Sequence, residues 1–100
     1  MSSVRVALPS HLRTLAGVTG EVVVSTGDEP TIADVLDALE ADHPALIGTI
    51  RDHVTKERRA YMRYMTCGRD LSHDATDVTL PAEVVSGDEP VRLVGAISGG

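Results

Sequence analysis

Residues 87–100 read GDEPVRLVGAISGG, and this stretch decides the fold that the sequence predicts. Its first four residues favour a turn, and the apolar residues at 91–94 favour a strand. After that strand we expect a flexible tail, residues 95–100, whose last two positions are Gly99 and Gly100. Glycine has no side chain and adopts backbone conformations closed to other residues, so this pair can enter a narrow channel in extended form. The group that such a tail delivers is the α-carboxylate of Gly100.

Two further strands are predicted near the start of the sequence. Residues 4–8 (VRVAL) alternate large apolar side chains with others, which is typical of a half-buried strand. Residues 21–25 (EVVVS) form a β-branched run between turn-forming residues. We expect the two strands to pair as a hairpin, joined by a long loop that contains Leu12, Leu15 and Gly17.

The clearest helix signal begins at Thr31. This residue is a good N-cap, and Asp34, three residues later, resembles the acidic partner of a capping box. Apolar residues then follow with the i, i+3, i+4, i+7 spacing of one helix face: Ile32, Val35, Leu36 and Leu39. The helix is expected to end near His43, because Pro44 disfavours helical backbone at the residue before it. The acidic residues of this segment are expected on its solvent-facing side: Asp34, Asp37, Glu40 and Asp42.

The middle of the chain carries weaker signals. Within residues 45–59 the apolar spacing predicts a shorter second helix, followed by a charged loop at 56–59. Residues 61–66 predict a strand, and residues 67–70 predict the turn after it. Beyond that turn we expect a loop with an apolar anchor formed by Val78, Leu80 and Pro81.

The order of these segments predicts an α+β fold with one sheet covered by helix. In that fold the last strand lies beside the first, in parallel, at the centre of the sheet. Residues 1–94 then form one domain, and residues 95–100 project from it as the tail.

Composition excludes several classes of protein. The chain has a net charge of −6 and a pI near 5.0, whereas binding to nucleic acid or to anionic membranes needs a basic surface. Its one cysteine, Cys67, excludes an internal disulfide framework and a cysteine-pair metal site, and we expect it in a turn. We find no amino-terminal signal sequence and no apolar run near the ~20 residues of a membrane span, so we expect a cytoplasmic protein.

Evidence for metal, anion or catalytic sites is weak. Spacings between the four histidines match no helical or hairpin ligand pair, so we expect surface residues at His11, His43, His53 and His73. The basic residues Lys56, Arg58 and Arg59 are expected in a solvated loop, with anion binding as the less favoured interpretation. The sequence contains no recognisable nucleophile–base pair, phosphate loop or dinucleotide signature.

Several of these features together resemble the ubiquitin-like β-grasp sulfur carriers of the MoaD/ThiS type. They are the order of the segments, the turn at residues 87–89, the strand at 91–94 and the terminal Gly99-Gly100. The family includes the small subunit of molybdopterin synthase and the sulfur carriers of thiamine and cysteine biosynthesis. The resemblance implies a β-grasp fold, in which a mixed sheet packs on one main helix and an extended Gly-Gly tail follows. One departure is the tail, because the family commonly has prolines before Gly-Gly where this chain has residues 95–98.

By this resemblance the chain is a sulfur carrier and a protein cosubstrate, not an enzyme. An ATP-dependent activating enzyme adenylates the Gly100 carboxylate, and a sulfur donor then displaces AMP to leave a thiocarboxylate. That group donates its sulfur to a biosynthetic intermediate held by a second enzyme. The molybdopterin and cysteine pathways are favoured over the thiamine pathway. The chain itself binds no cofactor in this scheme, since ATP is used by the activating enzyme. Gly99 is needed beside Gly100 because any Cβ would obstruct the channel over the nucleotide.

Docking of these partner enzymes is expected on the sheet face beside the tail. Side chains alternate along a strand, so every second residue of 91–94 faces outward. Methionine suits adaptable interfaces, so the second methionine of the 61–66 strand is placed on the same face. The residues expected to bind the partners are Arg92, Val94 and Met65 on the sheet, and Ile97 and Ser98 in the tail.

Two other functions stay open. As a ubiquitin-like modifier, the chain would pass the same adenylate to a lysine of another protein and leave isopeptide-linked adducts. As a non-catalytic β-grasp binding module, it would carry an incidental tail, and deletion of Gly99 and Gly100 would leave its function unchanged.

Overall fold

The computed structural model describes residues 1–95, which contain five strands and three helices. In chain order the elements are β1 (Ser2–Ala7), α1 (Ser10–Ala16), β2 (Val22–Thr26), α2 (Ile32–Asp42), β3 (Met62–Thr66), β4 (Arg69–Asp70), α3 (Ala82–Val85) and β5 (Val91–Gly95). A short 3-10 turn, Pro44–Leu46, follows α2. None of the helices in this part of the chain has the length and apolar character that crossing a bilayer requires.

The strands form one mixed sheet in the order β2-β1-β5-β3-β4. The last strand in the sequence, β5, lies at the centre. It runs parallel to β1, with Val6 opposite Val91, and antiparallel to β3, with Tyr64 opposite Leu93. The predicted α+β fold, with the last strand beside the first, is confirmed. Neighbouring strands bond both edges of β5, as they do for β1 and β3, so its position in the sheet is fixed from both sides.

Helix α2 begins and ends where the sequence predicts. The Asp34 amide donates to the Thr31 hydroxyl at 3.1 Å, and the Thr31 amide donates to Asp34 Oδ2 at 3.1 Å. These two bonds complete the capping box and satisfy backbone donors at the helix start. At the other end the cap is His43, directly before Pro44.

One face of the sheet packs on α2 to form the hydrophobic core. The predicted apolar stripe of α2 is buried there: Ile32, Val35, Leu36 and Leu39. The sequence has no Phe or Trp, so aliphatic side chains fill most of the core, and Tyr64 is its largest fully buried residue. Burial raises the pKa of the Tyr64 phenol, because an ionised phenolate would lose its hydration.

Helix α1 occupies the segment that the sequence predicts as a long loop between the first two strands. It follows Pro9, whose carbonyl accepts hydrogen bonds from the amides of Leu12 and Arg13 at 3.0 Å. It ends at Gly17, which has a left-handed φ of 73°. Only Leu12 of its residues is buried, so the sequence lacks the apolar stripe that would have revealed it. The single-turn helix α3 was missed for the same reason.

The second helix predicted within residues 45–59 is wrong. That stretch follows an irregular path after the 3-10 turn, and Gly48 has a left-handed φ of 86°. Ile50 is nonetheless fully buried, so the apolar spacing correctly indicates a buried side chain although the segment is not a helix. The chain then doubles back, and the Arg59 amide donates to the Ile50 carbonyl at 3.0 Å. Periodicity alone cannot distinguish such a buried loop from a helix.

Glu40, predicted on the solvent-facing side of α2, is buried instead. Its carboxylate accepts hydrogen bonds from Arg51 Nη2 at 2.9 Å and Arg51 Nε at 3.1 Å, and Asp37 accepts another at 2.6 Å. Burial by itself would lower the pKa of the Arg51 guanidinium, but its bonds to the two carboxylates outweigh that effect and raise it. The other three acidic residues of this segment are exposed, as predicted: Asp34, Asp37 and Asp42.

Candidate functional site

Strand β5 leads to the predicted tail. It ends at Gly95, which lies opposite Met62, the first residue of β3. The strand therefore reaches one residue beyond the predicted domain boundary at 94. The site residues predicted in the tail lie outside the described residues: Ile97, Ser98, Gly99 and Gly100.

The sheet face opposite α2 carries the docking residues that the sequence predicts. Along β5, Arg92 and Val94 are exposed and alternate with the buried Val91 and Leu93. Met65 is half-buried and lies opposite Arg92 in the strand register, so both side chains are on this face. The structure thus brings the three predicted residues together. We define the outer face as the patch formed by Ala7, Arg63, Met65, Arg92 and Val94.

The outer face is basic, although the chain as a whole is acidic. Within residues 1–95, Arg92 forms no ion pair. Arg63 Nη1 lies 3.6 Å from a carboxylate oxygen of Asp70, and an exposed pair of this kind contributes at most about 1 kcal/mol. Beside these cations Val94 leaves 42% of its surface exposed. A partner that matches this face would offer an apolar contact bordered by acidic side chains.

Arg5, in β1, forms hydrogen bonds to the turn before β5 and to Glu21, the residue before β2. Its guanidinium donates to the two carboxylate oxygens of Glu21 at 2.9 and 3.2 Å, and to the Gly87 carbonyl at 2.7 Å. The hydrogen bond from Arg5 lowers the pKa of the Glu21 carboxyl. Gly87 itself has a left-handed φ of 88°, which glycine adopts at little cost. The predicted turn is therefore held in place by a residue 82 positions away, which no local pattern could have identified.

Helix α1 places a histidine beside the end of β5. A Cβ atom on Gly95 would lie 3.1 Å from Cε1 of His11 and 3.9 Å from Cβ of Pro9. Because the first distance is shorter than an ordinary carbon–carbon contact, glycine permits this close approach. The sequence predicted His11 as an isolated surface residue, and the link to Gly95 was missed because α1 was missed.

Cys67 and Gly68 form the turn between β3 and β4, which confirms the first half of the turn predicted at residues 67–70; its second half, Arg69–Asp70, is strand β4, paired with β3. The φ angles of Cys67 and Gly68 are 52° and 73°, and two successive left-handed residues are what the commonest two-residue hairpin turn requires. Cys67 is half-buried and packs against the core. Within residues 1–95, no group of three or more His, Cys, Asp or Glu side chains is arranged to hold a metal ion.

The sequence predicts a solvated basic loop at residues 56–59, but in the structure its two arginines form hydrogen bonds to main-chain carbonyls. Arg58 donates to the Ser72 carbonyl at 3.0 Å and to the Met62 carbonyl at 2.8 Å. Arg59 also donates to a main-chain carbonyl, at 2.9 Å. Both arginines are half-buried and connect the loop to its surroundings, whereas Lys56 is exposed as predicted.

No family model matches this chain, and no curated protein matches it by sequence. Solved structures do match. SAMP1 from Haloferax volcanii is 26% identical over 98% of this chain and 99% of its own, with a TM-score of 0.76. The small archaeal modifier protein 1 from Methanosarcina acetivorans is 25% identical over 100% of this chain and 98% of its own, with a TM-score of 0.71.

A third match comes from the BexX/CysO complex of Amycolatopsis orientalis. It covers 96% of this chain and 98% of that chain with a TM-score of 0.72, but the identity is 15%, so this likeness shows the fold alone. Together these neighbours confirm the resemblance to the ubiquitin-like β-grasp carriers and modifiers that the sequence indicated.

Proposed function

We propose that the chain is a sulfur carrier whose Gly100 carboxylate is adenylated by an ATP-dependent enzyme and converted to a thiocarboxylate. The observation that carries this proposal is the junction of the central strand β5 with a sequence that ends in Gly99-Gly100. A central strand gives the segment after it a fixed starting point, and glycine lets that segment enter a narrow channel. The chain shares its fold with SAMP1 and with the chain matched in the BexX/CysO complex.

The Gly100 carboxylate is a poor electrophile, because its negative charge is delocalised, so it must first be activated. In the proposed first step a Gly100 carboxylate oxygen attacks the α-phosphorus of ATP and pyrophosphate leaves. A sulfur nucleophile then attacks the acyl carbon, and AMP leaves. The resulting thiocarboxylate donates its sulfur to an intermediate on a second enzyme, in molybdopterin or cysteine biosynthesis. The chain supplies the acyl group and the docking surface, and we expect this ATP-dependent activation to take place in the cytoplasm.

Docking of both enzymes is assigned to the outer face. Val94 is its exposed apolar centre, with Arg92 and Met65 beside it, and Ile97 and Ser98 extend the contact along the tail. Interface energy concentrates in a few central side chains surrounded by polar ones, and this patch has that composition.

We expect Val94→Glu to weaken docking on the activating enzyme by roughly 2 kcal/mol, or about 30-fold in affinity. The substitution places a carboxylate at the apolar centre of the outer face without touching the core. Steady-state activation kinetics should show this as a higher KM for the chain. Val78→Glu is the matched control, because Val78 is also an exposed valine but lies in the loop before α3. Equal losses of affinity in the two variants would show that the outer face is not part of the docking surface.

The proposal itself is tested by mass spectrometry. The full chain is incubated with its activating enzyme, ATP and a sulfur donor, and its intact mass is measured. Replacement of one carboxyl oxygen by sulfur should add about 16 Da, confined to the peptide that ends in Gly100. Pyrophosphate exchange in the absence of the sulfur donor reports the adenylate separately. A chain that neither exchanges pyrophosphate nor gains mass with any activating enzyme of its source cell is not a carrier.

A second candidate function, protein modification, is favoured by the names of two neighbours, which are both small archaeal modifier proteins. The same Gly100 adenylate would then be transferred to a lysine of a target protein. Trypsin cleaves after Arg92, so tryptic digestion of conjugates should leave residues 93–100 attached to target lysines. One chain can serve both functions, because they share the activation step.

A further inference from the structure

The chain leaves the sheet at the end of β5, and helix α1 closes one side of that exit. Strands β1 and β5 run parallel, and β1 ends at Ala7, which lies opposite Arg92. Strand β5 continues three residues beyond that pair, to Gly95. There a Cβ on Gly95 would lie 3.9 Å from Cβ of Pro9 and 3.1 Å from Cε1 of His11. The start of α1 therefore takes the place beside β5 that β1 has vacated.

The side that α1 closes is the inner side of the sheet. Val91 and Leu93 are buried and Val94 is exposed, so a side chain at position 95 would point inward. The imidazole of His11 occupies the space that such a side chain would fill. On the opposite side of the strand end lies the outer face, on which the Val94 side chain is exposed.

Helix α1 holds His11 at this place by contacts of its own neighbours. Leu12 is buried in the core, and its amide and that of Arg13 both donate to the Pro9 carbonyl at 3.0 Å. The Arg13 guanidinium also donates to the Leu8 carbonyl, at 2.6 Å. The backbone that carries His11 is therefore tied to the segment directly after β1.

Resting on the proposed activation of Gly100, we propose that His11 is a positioning residue for that reaction. Its imidazole closes the inner side of the strand end, so the chain leaves β5 on the side of the outer face. An activating enzyme docked on Val94 and Arg92 then receives the carboxyl end on the side where it is seated. The role needs the bulk of the ring and no proton transfer. Orientation of this kind matters because a displacement of about 1 Å can cost roughly 10²-fold in rate.

The same contact explains why position 95 is glycine. Gly95 lacks the left-handed φ that four other glycines of residues 1–95 have, so its backbone conformation is open to alanine. The space is not, because carbon atoms in ordinary contact lie about 3.5–4.0 Å apart and the Cβ would be 3.1 Å from the His11 ring. An alanine at this position would press on the imidazole.

The first test is His11→Ala, with the full chain as the varied substrate of its activating enzyme in ATP–pyrophosphate exchange. We expect kcat to fall roughly tenfold and KM to stay within about twofold, because the outer face is unchanged while the carboxyl end is less well oriented. His11→Phe keeps a ring of similar bulk and should restore most of kcat. His53→Ala is the matched control, since His53 is also exposed but lies in the loop before β3, and it should behave as wild type.

A second test joins the two residues in a double-mutant cycle. Gly95→Ala should lower kcat while His11 is present. In the double variant Gly95→Ala/His11→Ala the imidazole is gone and the new Cβ has room. Its loss of kcat should therefore be at least about threefold smaller than the product of the two single losses. Thermal unfolding of each variant shows whether the domain itself has changed.

Four results would overturn the inference. They are an unchanged kcat in His11→Ala, an equal loss in His53→Ala, a failure of His11→Phe to restore kcat, and a double-variant loss equal to the product of the single losses. Absence of pyrophosphate exchange with the wild-type chain would instead refute the proposed activation of Gly100. The failure of the inference and the failure of the proposed function are thus distinguishable.

Discussion

Removal of Gly99 and Gly100 should abolish sulfur loading while leaving the folded domain unchanged. The truncated chain would end at Ser98, so its carboxylate would stop two residues short of the nucleotide. We expect thiocarboxylate formation to fall by on the order of 10³-fold or more, equivalent to about 4 kcal/mol at the transition state. The unfolding temperature should not change, because the core and the β5 ladder lie within residues 1–95.

Ala96→Ser is the matched control for the truncation, since it alters the tail outside the predicted docking residues and keeps both glycines. It should load sulfur at nearly the wild-type rate. If the truncated chain still supported the function of the natural protein in its host, the tail would be incidental. The chain would then be a β-grasp binding module, and the outer face alone would explain its activity.

Arg51→Ala should destabilise the domain by about 3–5 kcal/mol, which is the usual cost of removing one partner from a buried ion pair. The Arg51 and Glu40 side chains are only 4% and 8% exposed. Without the guanidinium, the Glu40 carboxylate would remain buried and lose both of its hydrogen bonds. For a domain of this size the unfolding temperature should fall by roughly 4–8 °C for each kcal/mol. Urea unfolding followed by circular dichroism measures the free energy directly.

Two further variants test whether the loss of stability comes from a buried, unpaired charge or from the loss of any ion pair. Arg69→Ala removes an exposed pair with Asp74, whose side chains are 68% and 51% exposed, and should change stability by no more than about 0.5 kcal/mol. Arg51→Met combined with Glu40→Leu replaces both buried partners by apolar side chains and should recover most of the lost stability. A loss below about 1 kcal/mol in Arg51→Ala would mean that water reaches Glu40 after the substitution.

Much of the architecture could be predicted because its signals are local. The Thr31 cap, the apolar stripe of α2 and the proline after His43 lie within a few residues of one another, and all were confirmed. Strand alternation placed Arg92 and Val94 outward because successive side chains of any strand point to opposite sides. Met65 was harder to place, since its position on that face depends on the pairing of β3 with β5.

Other features depend on contacts between residues that are distant in the sequence. Glu40 was predicted to be exposed because it is not part of the apolar stripe of α2, but Arg51 reaches it across a turn and an irregular loop. Helix α1 was missed because it buries only Leu12, so little of its periodicity shows in the sequence. The approach of His11 to Gly95 follows from α1 and was missed with it.

The sequence by itself therefore determined helix α2, four of the five strands of the sheet through their apolar patterns, and the Gly99-Gly100 ending that suggests an activated carboxylate. Only the tertiary structure decided which charges are buried and that the outer face is basic on an acidic chain. The physical reason is the distance along the sequence over which each kind of interaction acts. Backbone preference and side-chain periodicity act over a few residues, whereas ion pairing and the composition of a surface are settled when distant segments pack together.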